Sequence, residues 1–419
     1  MTTVLRRLTG FTVLPLLSLV TPFLLMPVIA RIAGAQGWSS VVAGQAVGTF
    51  GATVVFWGWN VVGPVQVSRA VQGTERAGVY AASLRTRLTL LAVVVPAVVV
   101  ITVLVAAPGF RGVSAAMAAA TALLGLSPAW YGIGVGQPLL LLWYDTLPRF
   151  AAAVLATPVV LLTGQIWAYP VLLSLTTALG LVAFQRRVVR GSPWSPRPLR
   201  RTVRELREQG GTAGINLTAT AYASTPVPVA TWALPEGASS RLASADTVYR
   251  LGLFTVTAMG NAFQGWTLEP GPVARRRRHR AALGSHAGLG VAGAAIFAAL
   301  GPWVTGLLFG GGVAATREVC VAYGLSFLFI SASSPLIRNL LIPAGRTRLV
   351  LGWTAASAVV GLATMVAAAR ADWAAGVAFG MALSEAALFV GLLAPALRVL
   401  RDEPADAPGA SGAGRAAAP

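Results

Sequence analysis

Two apolar stretches of the sequence each carry an acid and a base four residues apart. Asp145 and Arg149 lie within residues 138–162, and Asp246 and Arg250 repeat the same spacing later in the chain. Residues four apart share one face of a helix and can pair. A charge at the centre of a bilayer costs about 2.5–3.5 kcal/mol on insertion scales, so such residues face a bundle interior or a wet cavity. Either each pair neutralises itself and aids packing, or Arg149 and Arg250 bind an anion in a central cavity while each Asp orients its Arg.

Other polar residues in apolar surroundings are further candidates. Glu385, in "GMALSEAALFV", has no acidic or basic neighbour on its own helix. It is a candidate site for a coupling H⁺ or Na⁺, and the alternative is a neutral carboxyl that is hydrogen-bonded between helices. Arg338 is expected near the cytoplasmic end of its span, where a long side chain can reach the interface. Asn216 is a further candidate for the lining of the cavity.

The composition indicates a membrane protein. Of the 419 residues, 56% are hydrophobic and only 11% are charged, whereas soluble domains have about 25% charged residues. The net charge of +19 comes entirely from Arg, since the chain has no Lys. Most of these Arg residues occupy short loops between apolar runs, which is typical of membrane topology rather than of nucleic-acid binding.

The inventory of reactive side chains argues against an enzyme. Cys320 is the only cysteine, and His279 and His286 are the only histidines. An intramolecular disulfide is therefore impossible, and we predict no metal site, no cofactor and no catalytic residue. The acids expected outside the membrane are scattered singly, which disfavours a membrane-bound polysaccharide polymerase or ligase.

Twelve apolar segments are long enough to cross a membrane, which takes about 20 residues. They are 8–32, 39–62, 88–107, 113–134, 137–162, 165–184, 211–233, 242–265, 283–308, 318–341, 349–368 and 373–397. With both termini in the cytoplasm, the inside loops and ends hold 24 Arg and the outside ones hold 5. This asymmetry predicts twelve spans with both termini inside.

The longest inside loop divides the chain into two sets of six spans. We predict an N-terminal six-helix bundle at 1–184, a basic amphipathic cytoplasmic linker at 185–210, a C-terminal six-helix bundle at 211–400 and a disordered tail at 401–419. The linker's apolar and Arg residues suit the surface of anionic membrane lipids. A weak internal repeat at an offset of 204 residues, such as Thr21-Pro22 against Thr225-Pro226, favours a parallel duplication of the kind that transporters use.

Four local motifs resemble the bacterial O-antigen and polysaccharide flippases of the Wzx type. They are "LPLLSLVTPFLLMPVIARIAG", "FWGWNVVGPVQVSRA", "SPAWYGIGVG" and "ASADTVYRLGLF". The first carries Arg31 and the second Asn60, which adds both residues to the candidate cavity set. The fourth departs from the family pattern, because Leu242 replaces its leading Tyr and the basic residue comes later, at Arg250.

The resemblance implies an all-α membrane protein of the multidrug/oligosaccharidyl-lipid/polysaccharide (MOP) exporter superfamily. Its twelve helices would form two six-helix bundles around a central cavity, in the bacterial cytoplasmic membrane. The implied substrate is an undecaprenyl-diphosphate-linked oligosaccharide, with glycosyltransferases and a polysaccharide polymerase as partners. The Arg inventory fits this substrate, since guanidinium binds phosphate bidentately. A multidrug or cation antiporter of the same fold and a lipid II-type flippase remain as alternatives.

Overall fold

The computed structural model describes residues 2–70, 73–187, 199–268 and 275–402. The predicted tail beyond 402 and the linker segment 188–198 lie outside these residues. All regular secondary structure in the described ranges is helical. The α-helices are α1 (Thr2–Phe56), α2 (Trp59–Arg69), α3 (Gly73–Val105), α4 (Arg111–Leu123), α5 (Ala129–Gly134), α6 (Pro138–Leu141), α7 (Leu147–Thr163), α8 (Ala168–Arg187), α9 (Leu199–Ala223), α10 (Pro226–Ala233), α11 (Glu236–Leu268), α12 (Arg275–Phe309), α13 (Arg317–Pro335), α14 (Thr347–Arg370) and α15 (Ala374–Asp402).

Nine helical segments within the described residues are long and apolar enough to cross a membrane. The chain is therefore a multi-pass, all-α membrane protein, as its composition predicts. The predicted spans 211–233 and 242–265 lie on α9–α10 and α11, which are not among the nine. The predicted spans 8–32 and 39–62 lie largely within the single long element α1. The count of twelve therefore stays a prediction.

Left-handed backbone marks the two sharp breaks near the N-terminus. Gly34 has φ 65° inside α1, at the predicted outside turn between the first two spans. Gly58 has φ 81° between α1 and α2, directly after Trp57 at φ 43°. Glycine adopts this conformation without the steric cost of a Cβ atom. These breaks let one nearly continuous helical run change direction twice.

The helices pack in two groups that meet along α1. Elements α1 to α8 pack mainly with one another, and so do α9 to α15. Helix α1 also contacts α9, α10, α11 and α12, so it forms most of the boundary between the groups. Gly44 and Gly48 let α1 approach α4 closely, because a Cβ atom at either position would lie within 2.4 Å of a carbonyl oxygen of α4. Small residues allow the same close approach between membrane helices in general.

The predicted orientation is open to a direct test. In a Cys320→Ala background, single cysteines at Arg187 and Arg277, which are both exposed, should resist a membrane-impermeant thiol reagent in intact cells. A cysteine at the exposed Arg317 should react under the same conditions, because it lies on the predicted outside. Labelling of either cytoplasmic position from outside would contradict the orientation.

Candidate functional site: a central cavity with two arginines

A cavity of about 420 Å³ lies at the boundary between the two groups of helices. Helix α1 supplies half of its lining, and α7 and α11 supply the charged residues. Arg149 comes from α7 in the first group, while Asp246 and Arg250 come from α11 in the second group. The structure therefore brings the two predicted arginines, 101 positions apart in the chain, to one cavity.

The first predicted pair is formed beside this cavity. The Arg149 Nη2 atom donates to Asp145 Oδ1 at 2.5 Å. Asp145 lies in a π-helical turn, Leu142–Thr146, that directly precedes α7. The Arg149 side chain keeps 30% of its surface exposed, against 16% for Asp145. Arg149 therefore presents its remaining donors to the cavity, while Asp145 holds the guanidinium from the side.

The second pair is held more tightly by its surroundings. Arg250 Nε donates to Asp246 Oδ2 at 2.5 Å, and Nη2 donates to the carbonyl oxygen of Ala223 at 2.7 Å. Ala223 is the last residue of α9, and Pro226 opens α10 after a short break. Proline cannot donate a backbone hydrogen bond, and in membranes the carbonyls at such breaks need other partners. The Arg250 side chain is such a partner for the Ala223 carbonyl. It is therefore held in position both by α9 and by its own helix, α11.

Each guanidinium retains unused hydrogen-bond donors. A guanidinium carries five N–H groups, and the bonds described use one on Arg149 and two on Arg250. The Arg250 side chain is 32% exposed, whereas Asp246 is fully buried. The Asp246 carboxylate therefore contacts Arg250 and is not accessible to a molecule in the cavity. The arrangement offers two oriented cations that can each bind an anion.

Hydroxyl groups add a polar wall that sequence reasoning missed. The cavity lining includes Thr49, Thr53, Thr121 and Thr247, together with Gln45. Each of these threonine hydroxyls donates to a backbone carbonyl of its own helix four residues earlier. Their oxygens can still accept hydrogen bonds. The only sequence signal was the recurrence of Gln45, Thr49 and Thr53 every four residues, which places them on one face of α1.

Glu385 lies outside the cavity lining, in a buried cluster of two acids and three tyrosines. We call Asp246, Glu385, Tyr222, Tyr249 and Tyr323 the acid–tyrosine cluster. Tyr222 donates to Glu385 Oε1 at 2.6 Å, and Tyr323 donates to Asp246 Oδ1 at 3.2 Å. The rings of Tyr249 and Tyr323 have centroids 5.1 Å apart. Each of the two carboxylates, Glu385 and the Asp246 that orients Arg250, thus accepts a hydrogen bond from a buried tyrosine.

Two buried polar atoms of the acid–tyrosine cluster have no hydrogen-bond partner among the residues that the structure describes. They are Glu385 Oε2 and the Tyr249 hydroxyl, and both residues are 1% exposed. A buried polar group without a partner costs about 1–3 kcal/mol. A bound Na⁺ would give the free carboxylate oxygen a ligand, and a bound H⁺ would neutralise the buried charge; the ion-coupling role of Glu385 stays a prediction. The tyrosines lie on three different helices, so no local pattern could reveal them.

Hydrogen bonds between the two groups of helices close the predicted outer side of the cavity. We call the following four bonds the outer closure contacts. They run from Arg31 Nη2 to the Leu307 carbonyl (3.0 Å), from Gln36 Nε2 to Glu236 Oε1 (2.5 Å), from Trp38 Nε1 to Ser244 Oγ (3.0 Å), and from Thr231 Oγ1 to the Ser39 carbonyl (3.3 Å). On the predicted inner side, Trp57 Nε1 donates to the Leu206 carbonyl at 2.8 Å.

Four other predicted polar residues lie away from the cavity lining. Arg31 is exposed and belongs to the outer closure contacts. Asn60 is exposed on α2, and Asn216 is half-buried on α9. Arg338 lies in a second π-helical turn, Leu336–Leu341, and donates to Asn261 Oδ1 at 2.7 Å. The two acid–base pairs thus lie at or beside the central cavity, and these four residues do not line it.

The described helices define a multi-pass membrane protein, and solved structures of two other membrane proteins share its fold. The fold is similar to a MATE family transporter of the MOP superfamily in an inward-facing conformation, with a TM-score of 0.68 and 14% identity, covering 92% of this chain and 96% of that one. It is also similar to the lipid II flippase MurJ in an inward closed conformation, with a TM-score of 0.66 and 10% identity over 93% and 89% of the two chains. A MATE transporter of Vibrio cholerae gives a TM-score of 0.51 at 15% identity, covering 96% of this chain and 98% of that one.

Comparison of the sequence itself adds nothing to this structural likeness. No family model matches the chain, and no curated protein matches it either. At 10–15% identity, the solved structures show a shared fold alone.

Proposed function

We propose that this chain is a flippase that moves an undecaprenyl-diphosphate-linked oligosaccharide from the cytoplasmic to the outer leaflet of a bacterial cytoplasmic membrane. The observation that carries the proposal is the presence of Arg149 and Arg250, from opposite groups of helices, in one cavity. A diphosphate needs cationic partners, and guanidinium binds phosphate bidentately. In this proposal, glycosyltransferases supply the substrate and a polysaccharide polymerase consumes it.

The rest of the cavity suits the glycan part of such a substrate. The threonine oxygens can accept hydrogen bonds from sugar hydroxyls, while Met26, Phe56 and Phe254 give an apolar surface. Without substrate, Asp145 and Asp246 hold the two guanidiniums in place. With substrate, the phosphate oxygens take the remaining N–H groups. The opposite charges next to each Arg lower the cost of keeping an empty, charged cavity inside the membrane.

Glu385 is the proposed site for a coupling H⁺ or Na⁺. Binding there neutralises a carboxylate that lies in the same buried acid–tyrosine cluster as Asp246. A change in that cluster alters how Asp246 holds Arg250, and thus how strongly the cavity holds an anion. This gives a physical route from the cation to the substrate without direct contact between them.

Alternating access requires the outer closure contacts to break during each cycle. In a Cys320→Ala background, a cross-link between cysteines at Gln36 and Glu236 should hold the two groups of helices together. We expect that a thiol-reactive bifunctional reagent reduces transport by this double-cysteine variant to the rate measured in vesicles without protein. The same reagent should leave either single-cysteine variant active. Full transport by the cross-linked protein would show that these contacts do not open.

A multidrug antiporter is the second candidate function. It is favoured by the similarity to MATE transporters and by the carboxylate of Asp246 at the edge of the cavity. An organic cation would be drawn to an exposed carboxylate, but Asp246 is fully buried and both of its oxygens already accept hydrogen bonds. The exposed charge in the cavity is that of the two guanidiniums. A lipid II-type flippase would share the diphosphate chemistry and differ in the glycan.

The double change Asp145→Leu with Arg149→Leu tests the proposed function. It removes one acid and one base together, so it leaves no unpaired charge and keeps an apolar helix that inserts well. Loss of one charge-assisted hydrogen bond of about 1.5–3 kcal/mol predicts translocation of the lipid-linked oligosaccharide about 10- to 150-fold slower. The measurement is the rate at which the sugar becomes accessible to an impermeant lectin outside reconstituted vesicles.

The matched control is the double change Arg317→Leu with Glu318→Leu. These residues also form one base and one acid, but both are exposed at the start of α13. The control should translocate at the wild-type rate, and both variants should purify as monodisperse protein. Wild-type translocation by Asp145→Leu/Arg149→Leu would make Arg149 a structural residue, and the proposed function would lose its main support.

A further inference from the structure

A second cavity, of about 490 Å³, lies on the outside of the first group of helices. It is a groove between α8 on one side and α7 with its preceding π-helical turn on the other. Trp143 and Leu179, which line it, are 58% and 59% exposed. In a membrane protein, large apolar side chains with this exposure face the lipid. The groove therefore opens into the bilayer.

Small residues and a close helix contact create the groove. A Cβ atom at Gly180 would lie 2.9 Å from Pro148 Cγ, so α8 and α7 touch at its floor. Ala151 and Ala183 line it beside the larger Trp143 and Leu179. A shallow channel between bulky neighbours can accommodate one hydrocarbon chain.

The groove is separate from the central cavity. Pro148 lines the groove, whereas its neighbour Arg149 lines the cavity. Helix α7 therefore stands between the two spaces. A molecule held by Arg149 cannot place its lipid tail in this groove without passing through α7, so the occupant is a different molecule from the proposed substrate.

One end of the groove is basic and aromatic. Arg187, the last residue of α8, lines it and is exposed. Trp143 and Tyr144 lie at the start of the opposite wall, and such aromatic residues are enriched at membrane–water interfaces. None of the described residues that line the groove is acidic. An apolar channel that ends at a guanidinium is complementary to a lipid with an acyl chain and an anionic headgroup.

We propose that the groove between α7 and α8 is a specific site for one anionic glycerophospholipid of the cytoplasmic leaflet. Its phosphate lies on Arg187, and one acyl chain lies over Gly180 and Pro148. The lipid buttresses the outer face of α7, the helix that carries Arg149. The site does not depend on the proposed transport function, since binding can be measured without any substrate.

Native mass spectrometry of the purified full-length protein tests the site directly. Phosphatidylglycerol should bind as one retained molecule, about fivefold tighter than phosphatidylcholine, because one basic residue near a membrane surface contributes about 1 kcal/mol towards an anionic lipid. Arg187→Gln should remove this preference. Arg186→Gln is the matched control, because Arg186 is the adjacent basic residue and does not line the groove.

Filling the groove gives an independent test of the acyl-chain site. Ala183→Trp should abolish the retained phosphatidylglycerol, whereas Val182→Trp should not, since Val182 is 48% exposed on α8 but lies outside the groove. Phosphatidylglycerol with brominated acyl chains should also quench the fluorescence of Trp143, measured as the difference between wild type and Trp143→Phe. Equal lipid retention by Ala183→Trp and Val182→Trp would overturn the proposal, and so would equal binding of the two lipids by the wild type.

Discussion

Replacement of both Arg149 and Arg250 by Gln is expected to weaken binding of undecaprenyl diphosphate about 10²–10⁴-fold, because each charge-assisted hydrogen bond contributes about 1.5–3 kcal/mol. Glutamine keeps an amide donor for Asp145 or Asp246 but removes the cation beside each carboxylate, so the comparison uses only variant protein that purifies as monodisperse as the wild type. Each single replacement should cost about 10- to 150-fold on the same scale. The measurement is equilibrium binding of the lipid diphosphate to purified protein, with the lipid monophosphate as a weaker competitor.

A double variant with the same loss of charge separates local binding from general electrostatics. Arg317 and Arg370 are both exposed near the predicted outer side, so Arg317→Gln with Arg370→Gln should leave the affinity unchanged. An equal loss of affinity in both double variants would attribute the effect to net charge. Unchanged binding by Arg149→Gln/Arg250→Gln would remove the cavity arginines from any account of substrate recognition.

Glu385→Gln is expected to remove the response of transport to an imposed Na⁺ or pH gradient. The amide oxygen can still accept the hydrogen bond from Tyr222, so packing of the acid–tyrosine cluster is retained. The charge that would bind the cation is lost, and the gradient-driven rate should fall to the rate measured without a gradient. The measurement is translocation in vesicles with each gradient applied separately, which also identifies the ion.

Two further variants define what the Glu385→Gln result means. Tyr222→Phe keeps the carboxylate and removes one of its hydrogen bonds, so the gradient response should persist with an altered cation affinity. Glu318→Gln removes an exposed carboxylate and should change nothing. A normal gradient response in Glu385→Gln would show that the coupling ion binds elsewhere.

The sequence predicted the class of fold and the composition of the charged site. Few residues of this chain are charged, and a charge inside a bilayer costs free energy. The two acid–base pairs at i,i+4 spacing could therefore be recognised within apolar segments of the sequence. That spacing requires only one helix and no tertiary information, and the structure forms both pairs at 2.5 Å. The meeting of Arg149 and Arg250 in one cavity needed the fold, because α7 and α11 belong to different groups of helices.

Other parts of the site depend on contacts between distant elements. Tyr222, Tyr249 and Tyr323 lie on three helices, and nothing in their local sequence distinguishes them from ordinary core residues. The outer closure contacts join positions that are 192 to 276 residues apart, such as Gln36 and Glu236. The sequence of one helix alone does not indicate which residue of a distant helix it will contact. The position of the groove likewise depends on the contact between Gly180 and Pro148, which neither helix reveals alone.

Reconstitution of the purified protein with an undecaprenyl-diphosphate-linked oligosaccharide tests the central claim most directly. The substrate is placed in the vesicle membrane, and an impermeant lectin outside reports how much of the sugar has crossed. We predict that wild-type protein accelerates the appearance of sugar well above protein-free vesicles, and that Arg149→Gln/Arg250→Gln does not. Wild-type protein that left the lipid-linked sugar in its original leaflet, while it exchanged organic cations for H⁺ or Na⁺ in the same vesicles, would contradict the proposed flippase function.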